Sequence, residues 1–437
     1  MTAPRRFVLG FLITALTALA GPPQESPAPE IVSILKTPAA ASFLRRQNFD
    51  VFADWEGRLY VVASRADLAS LRADGIPYVP ETEKLAALSA GVPGTLSGPN
   101  GAYHSYVELK ADLFALQSQY PSLARVFDLG ISLEKRHIYA LKISDNPALD
   151  QDKAQVLFLG CHHAREWISV EVPFLLGRYL LENYASDAEV RRLVGASEIW
   201  IVPLVNPDGL EYSIHAYRYW RKNRRDNGGG AFGVDLNRNY GYAWGIDDSG
   251  SSPDPNSDIF RGRSAFSEPE IQTVRDLFVR KHFAAVLSYH SYAQTIIYPW
   301  GYTVLPTNRD AIMAALAGHM AFLIQTVNGR VYTTGESSRD MYLTNGELTD
   351  WTFSVSGIPS FTIELPPLDE LHGGFFNAEA DIDSVFRENL PAMLYLIDWS
   401  IQNPAAPDKD GPGNARAAPP VRSGRPGEGK RLIKNPE

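Results

Sequence analysis

His163 and Glu166 stand three positions apart in Cys161-His162-His163-Ala164-Arg165-Glu166-Trp167, directly after the apolar run Val156-Leu157-Phe158-Leu159-Gly160. An imidazole and a carboxylate that close in sequence can hold one metal ion. Zinc accepts nitrogen and oxygen ligands, and a catalytic zinc takes three from the protein with one position left for water. His290, in Ser288-Tyr289-His290-Ser291-Tyr292, is the candidate third ligand. His162 is the rival to His163, but the residue three positions after it is Arg165, which cannot bind a metal. Cys161 is the only cysteine. It reads as a small buried hydrophobe at a strand end rather than a thiolate ligand.

Glu364 breaks the strand-like run Phe361-Thr362-Ile363-Glu364-Leu365. A buried, unpaired carboxylate is costly, so Glu364 needs a partner or a task. One reading is an ion pair with a nearby arginine. The other is a general base for a water nucleophile, whose pKa zinc lowers to about 7. Arginines cluster in Arg218-Tyr219-Trp220-Arg221-Lys222-Asn223-Arg224-Arg225, which alone reads as a solvated loop or a phosphate patch. A second segment, Asp235-Leu236-Asn237-Arg238-Asn239, follows three glycines. Guanidinium forks match carboxylates two bonds at a time, so Arg238 with Asn237 suits a substrate ending in a carboxylate. These residues together read as a zinc-dependent hydrolytic site.

Such residues need a frame. Residues 103–403 alternate short apolar runs with amphipathic stretches, the pattern of an α/β fold. Strands are expected at 155–160, 199–205, 284–289 and 360–365, and helices at 106–120, 169–184, 268–281, 309–325 and 380–403. The expected architecture is a mixed, mostly parallel central sheet flanked by helices on both faces. Ligands of such sheets bind outside the carboxyl ends of the strands. His163 follows the first expected strand, His290 follows the third and Glu364 ends the fourth.

Around this domain lie three other zones. Arg5-Arg6, the apolar stretch from Phe7 to Ala20 and Ala18-Leu19-Ala20 before Gly21 read as an export signal over 1–20. The run is shorter than the ~20 residues a spanning helix needs, and no later segment reads as a membrane span. The expected location is secreted or periplasmic, without stable membrane insertion. Residues 21–102 hold a Pro-rich stretch, a small α+β block at about 31–83 and a linker rich in Gly, Pro and Ser. Residues 404–437, rich in Pro, Gly, Arg and Lys, read as a disordered tail. A net charge of -9 on 437 residues argues against nucleic acid as a partner.

The chain resembles the zinc carboxypeptidases of the pancreatic A/B type. The resemblance spans 103–403 and rests on five blocks in the family's order: His163 to Trp167, Trp220-Arg221-Lys222, Asp235 to Arg238, His290-Ser291-Tyr292 and Phe361 to Leu365. It implies one zinc ion held by His163, Glu166 and His290, as in the two-histidine, one-glutamate site of carboxypeptidase A. It also implies Glu364 as general base and Arg221 as the group that polarises the scissile carbonyl. Asn237 and Arg238 would clamp the terminal carboxylate of a peptide or protein substrate, Tyr342 would cover it, and Arg165 would line its approach. Asp235 would hold the outer nitrogen of His163.

The chain departs from the family at Thr349, where A-like enzymes carry an aliphatic residue and B-like enzymes an acid. Glu347, two positions earlier, either accepts a basic substrate side chain or is a solvated loop acid. Competing functions are a zinc amidase or peptidase acting on peptidoglycan stem peptides and a binding module with a dead site. The presence of Glu364, Arg221 and three ligands argues against the dead module. The block within 21–102 looks like a propeptide of a zymogen, shorter than the pancreatic kind; its rival reading is a permanent domain. Lys84 is the only lysine or arginine between Arg72 and Lys110, so an activating protease is expected to cut within 84–102. N-terminal sequencing of the exported protein should find a start in that range. A mature chain that retains residues 21–83 would make the block a permanent domain instead.

Overall fold

The computed structural model describes residues 30–81, 100–369 and 372–405, apart from Asn48, Glu56 and Ser64. The expected signal, the Pro-rich stretch to residue 29, most of the linker with Lys84, and the tail beyond 405 lie outside the described residues.

The N-terminal block runs β1 (Glu30–Leu35), α1 (Pro38–Arg46), β2 (Asp50–Trp55), β3 (Arg58–Ala63), α2 (Arg65–Ala73) and β4 (Tyr78–Pro80). Its strands form an antiparallel sheet in the order β2-β3-β1-β4. Val32, Ile34, Phe43, Leu44, Leu59, Val61, Leu68 and Leu71 make its own core. This is the expected α+β block, with strand β1 and helix α1 not foreseen from the sequence. Thr37 starts that helix, its hydroxyl accepting the Ala40 N–H at 3.1 Å, and Pro38 occupies the first helical position.

The larger unit begins with α3 (Tyr106–Gln119), closed at its start by a capping box between Ser105 and Glu108. There follow β5 (Ala124–Ile131), β6 (His137–Ile143), β7 (Ala154–Gly160), α4 (Ile168–Asn183), α5 (Ala188–Ala196), β8 (Ser197–Val202) and α6 (Pro207–His215). A two-stranded ribbon, β9 (Asp226–Gly228) and β10 (Ala231–Phe232), precedes α7 (Pro269–Arg280), β11 (Phe283–Ser291) and β12 (Thr295–Tyr298). The chain closes with α8 (Asp310–Asn328), β13 (Thr333–Glu336), α9 (Leu348–Ser356), β14 (Ser360–Leu365) and α10 (Asp381–Gln402). Eight strands form one sheet in the order β13-β12-β14-β11-β7-β8-β6-β5.

The four central strands, β14, β11, β7 and β8, run parallel and are buried along their whole length. That is why they read as continuous apolar runs. Alternate residues serve opposite layers: Val156 and Phe158 pack with α3, α4, α8 and α10, whereas Leu157 and Leu159 pack with α7 and α9. The expected sheet with helices on both faces is therefore present. The flanking strands β5, β6, β12 and β13 escaped the sequence reading: β5 is largely exposed or half-buried, β12 and β13 span four residues each, and β6, though mostly buried, has its apolar run broken by Lys142. One reading needs correction: α8 is apolar and long enough to cross a membrane. Its Met313, Leu316, Ala317, Met320 and Ile324 nevertheless pack into the domain core.

From β7 the chain passes to β8 on one side, while β11 lies on the other. This reversal opens a crevice at the carboxyl ends of β7 and β11. Gly160 lets the crevice loop pack against α4, since a Cβ there would sit 2.0 Å from the Ser169 carbonyl oxygen and 2.9 Å from that of Pro203. Backbone cannot yield as a flexible side chain does. Gly160→Ala should therefore lower stability by about 3 kcal/mol in denaturant unfolding. A loss below about 0.5 kcal/mol would contradict this packing.

Candidate metal centre and substrate pocket

β7 ends at Gly160, and the loop before α4 carries His163, Arg165 and Glu166. His290 is the penultimate residue of β11, and Glu364 lies near the end of β14. The parallel register pairs His290 with Glu364, and Tyr289 with Gly160. Three chain segments thus meet at the carboxyl ends of the central strands.

His163 Nδ1 lies 2.7 Å from Glu166 Oε1, and His290 Nδ1 lies 3.0 Å from Glu166 Oε2. The two Nδ1 atoms are 3.1 Å apart. Potential ligand atoms of all three buried residues fall within 4.8 Å of one another. The outer nitrogen of His163, Nε2, faces Asp235 Oδ1 at 3.2 Å. A proton held there leaves the Nδ1 lone pair facing another imidazole nitrogen and a carboxylate, and a shared cation relieves that opposition. Two nitrogens bound tetrahedrally to zinc at about 2.0–2.1 Å stand about 3.3 Å apart, close to the observed spacing. The donor set therefore fits zinc. The single cysteine, Cys161, is buried beside this group, with its Sγ 3.7 Å from the His163 carbonyl oxygen.

Electrostatics agree with the geometry. Burial alone would raise the Glu166 carboxyl, but the adjacent His163 and His290 outweigh it and hold the group below the usual carboxylate range. For Asp235 burial is likewise overcome, by Arg221 first and His163 second, and the carboxyl stays well below its ordinary value. Arg221 donates from Nε and Nη2 to Asp235 Oδ2 at 3.0 and 2.9 Å. The other oxygen of Asp235 also accepts the Asn237 N–H at 3.0 Å. One carboxylate thereby orients a histidine, an arginine and the short turn that follows it. Glu364 is pushed well above the ordinary carboxyl range by burial and by Glu166, with Arg221 and Arg238 opposing.

The residues expected to contact substrate are each held by contacts of their own. Arg238 is buried and donates to the carbonyl oxygens of Gly250 and Asn237 at 2.9 and 2.8 Å. Tyr342 is 52% exposed, and the Arg238 guanidinium carbon lies 6.0 Å from its ring centroid. Asn237 Oδ1 accepts the Leu348 N–H at 3.0 Å, tying its segment to the start of α9. Arg165 is buried, with its guanidinium carbon 4.1 Å from the centroid of the Phe375 ring.

Glu347 is not a solvated loop acid. It is 5% exposed and accepts the hydroxyls of Thr344 and Thr349 at 2.6 and 2.9 Å. A Cβ on Gly301 would lie 2.5 Å from Glu347 Oε1, so only glycine leaves room for this carboxylate. Beside it, the fully buried Asp350 accepts the N–H groups of Gly301 and Tyr302 at 2.9 and 3.1 Å. Burial first and Glu347 second push the Asp350 carboxyl well above its ordinary range. Among the described residues, neither acid has an ion-pair partner. Asp350 was not among the residues singled out in the sequence. Its signal was a second acid three positions after Glu347, on one face of the starting helix.

An α/β sheet with a two-histidine, one-carboxylate cluster at the carboxyl ends of its parallel strands defines the class of a metal-dependent hydrolase. The sequence comparisons then specify which. The family model for zinc carboxypeptidases, peptidase family M14, matches residues 109–392, and the chain belongs to that family. A zinc carboxypeptidase of Saccharothrix mutabilis subsp. capreolus is 31% identical over 382 residues, covering 83% of this chain and 87% of that one. Carboxypeptidase B of Astacus astacus is 34% identical over 303 residues, covering 68% of this chain and 97% of its own. The crystal structure of carboxypeptidase A from Helicoverpa armigera superposes with a TM-score of 0.70 at 27% identity, covering 86% of this chain and 98% of that chain. The protein is thus a metallocarboxypeptidase that works with one zinc ion.

Proposed function

We propose that this enzyme removes the C-terminal residue of peptides outside the cytoplasm, secreted or in the periplasm, with His163, Glu166 and His290 holding the zinc. The observation that carries the reading is the meeting of two imidazole nitrogens and a carboxylate beside Glu364, its neighbour in strand register. When bound, the zinc supplies Lewis acidity and lowers the pKa of water to about 7. Arg238 and Asn237 receive the substrate's terminal carboxylate, and Tyr342 covers it from the solvent side. Arg165 lines the approach. Glu364 takes a proton from the attacking water and passes it to the leaving amine. Arg221 stabilises negative charge developing on the scissile carbonyl oxygen. Its two bonds to Asp235 fix its orientation beforehand, so little reorganisation is needed during reaction.

The acid pair supports a preference for lysine or arginine at the substrate's C-terminus. Two buried carboxyl groups without a cation are an incomplete arrangement, and a basic side chain completes it. Thr349 donates to Glu347 and so orients the acid rather than contacting substrate through an aliphatic or acidic group of its own. Residues 1–20 then serve as the export signal, 21–102 as a propeptide with linker, 103–403 as the catalytic domain and 404–437 as a tail, with activation by a protease cutting within 84–102.

Glu364→Ala should retain one zinc per chain while turnover of a chromogenic C-terminal peptide falls by at least about 10²-fold. Near-full turnover by this variant would remove Glu364 from its role. Cleavage of muropeptides without cleavage of plain peptides would instead favour the peptidoglycan amidase. On peptides ending in Phe, Leu, Lys, Arg and Glu, kcat/KM should be highest for Lys and Arg. Glu347→Gln should lower those two by about 10²-fold and spare Leu and Phe. A parent enzyme that favours Phe or Leu would contradict the assignment of the acid pair.

A further inference from the structure

The two histidines of the metal cluster are held in different ways. His163 has its outer nitrogen on Asp235. His290 has no such anchor: its Nε2 is buried and, among the described residues, has no hydrogen-bond partner. Metal-ligating histidines almost always donate their second ring N–H to a fixed acceptor, which sets the ring plane. Something else must set the plane of His290.

His162 occupies that position. Its ring lies nearly parallel to that of His290, with an interplanar angle of 12° and centroids 5.5 Å apart. His162 is itself pegged at both nitrogens. Nε2 meets the Tyr240 hydroxyl at 2.8 Å, and Nδ1 faces Ser288 Oγ at 3.4 Å. Ser288 precedes His290 by two positions in β11, on the same face of the strand. Tyr240 in turn stacks on Trp351 of α9, with centroids 5.6 Å apart and planes at 25°. The backbone of His162 is fixed as well, since its carbonyl oxygen accepts from Asn206 Nδ2 at 3.1 Å. The ring is thus a plate held at both nitrogens beside His290.

We infer that His162 is a positioning residue for the metal centre: its pegged imidazole sets the ring plane of His290 in place of the missing outer hydrogen bond. An aliphatic residue could fill the same volume, but it would carry no peg against rotation and would leave the buried Tyr240 hydroxyl without this partner. This inference rests on the reading of His163, Glu166 and His290 as the zinc ligands.

The test is zinc affinity, measured by competition with a chelator, together with the visible spectrum of the cobalt(II)-substituted protein. His162→Leu, which removes both ring and pegs, should raise the zinc Kd by about tenfold or more and alter the cobalt spectrum. His162→Phe keeps a ring without pegs, and Tyr240→Phe keeps the imidazole with one peg fewer. Both should fall between the parent and His162→Leu, a graded order that loss of fold alone does not produce. A folded His162→Leu protein with zinc Kd within twofold of the parent and an unchanged cobalt spectrum would overturn the inference. If His162→Leu does not fold, Tyr240→Phe decides on the same criterion. His290→Ala is the control. If it keeps the parent's zinc affinity, the ligand assignment fails rather than the role of His162.

Discussion

Glu166 is a buried carboxylate pressed between two imidazole nitrogens, and those nitrogens also face each other at 3.1 Å. Lone pairs gathered this tightly away from water are unfavourable unless a positive charge sits among them. That requirement explains the surrounding construction. Asp235 faces the outer edge of His163, Arg221 and the Asn237 N–H hold Asp235, and the Ser291 N–H steadies Glu166 at 3.3 Å. Each contact turns a donor atom inward at the cost of a stiffer shell.

The sheet does the remaining positioning. Parallel pairing puts His290 and Glu364 at the same level on neighbouring strands. The reversal of strand order at β7 brings the 161–167 loop into the same crevice. Since the central strands are buried on both faces, a shift in register would drive polar residues into the apolar layers. Stability of the core and placement of the site therefore depend on the same packing. The buried acids at the start of α9 follow the same logic, with Asp350 accepting two backbone N–H groups and Glu347 the Thr344 hydroxyl.

Much of this was legible in the residues. The four central strands announce themselves as apolar runs because both faces are covered, and the ligand cluster lies at or just beyond their carboxyl ends. The antiparallel edges were not legible, because β5 mixes buried and exposed positions and β12 and β13 span four residues each. Residues that act through others were harder still. His162 was dismissed for lacking an acid three positions on, a test of metal binding that says nothing about stacking. Asp350 carries no signal in the sequence beyond its spacing from Glu347, and only three dimensions bring the Gly301 and Tyr302 N–H groups onto it.

The central claim is that His163, Glu166 and His290 enclose one zinc ion. Zinc-edge X-ray absorption on the purified, metal-loaded protein tests it most directly. The account predicts one zinc per chain in a shell of nitrogen and oxygen at about 2.0–2.1 Å, with the scattering pattern of two imidazoles. A sulfur shell at about 2.3 Å, which would bring Cys161 onto the metal, or a signal from a single imidazole would contradict it.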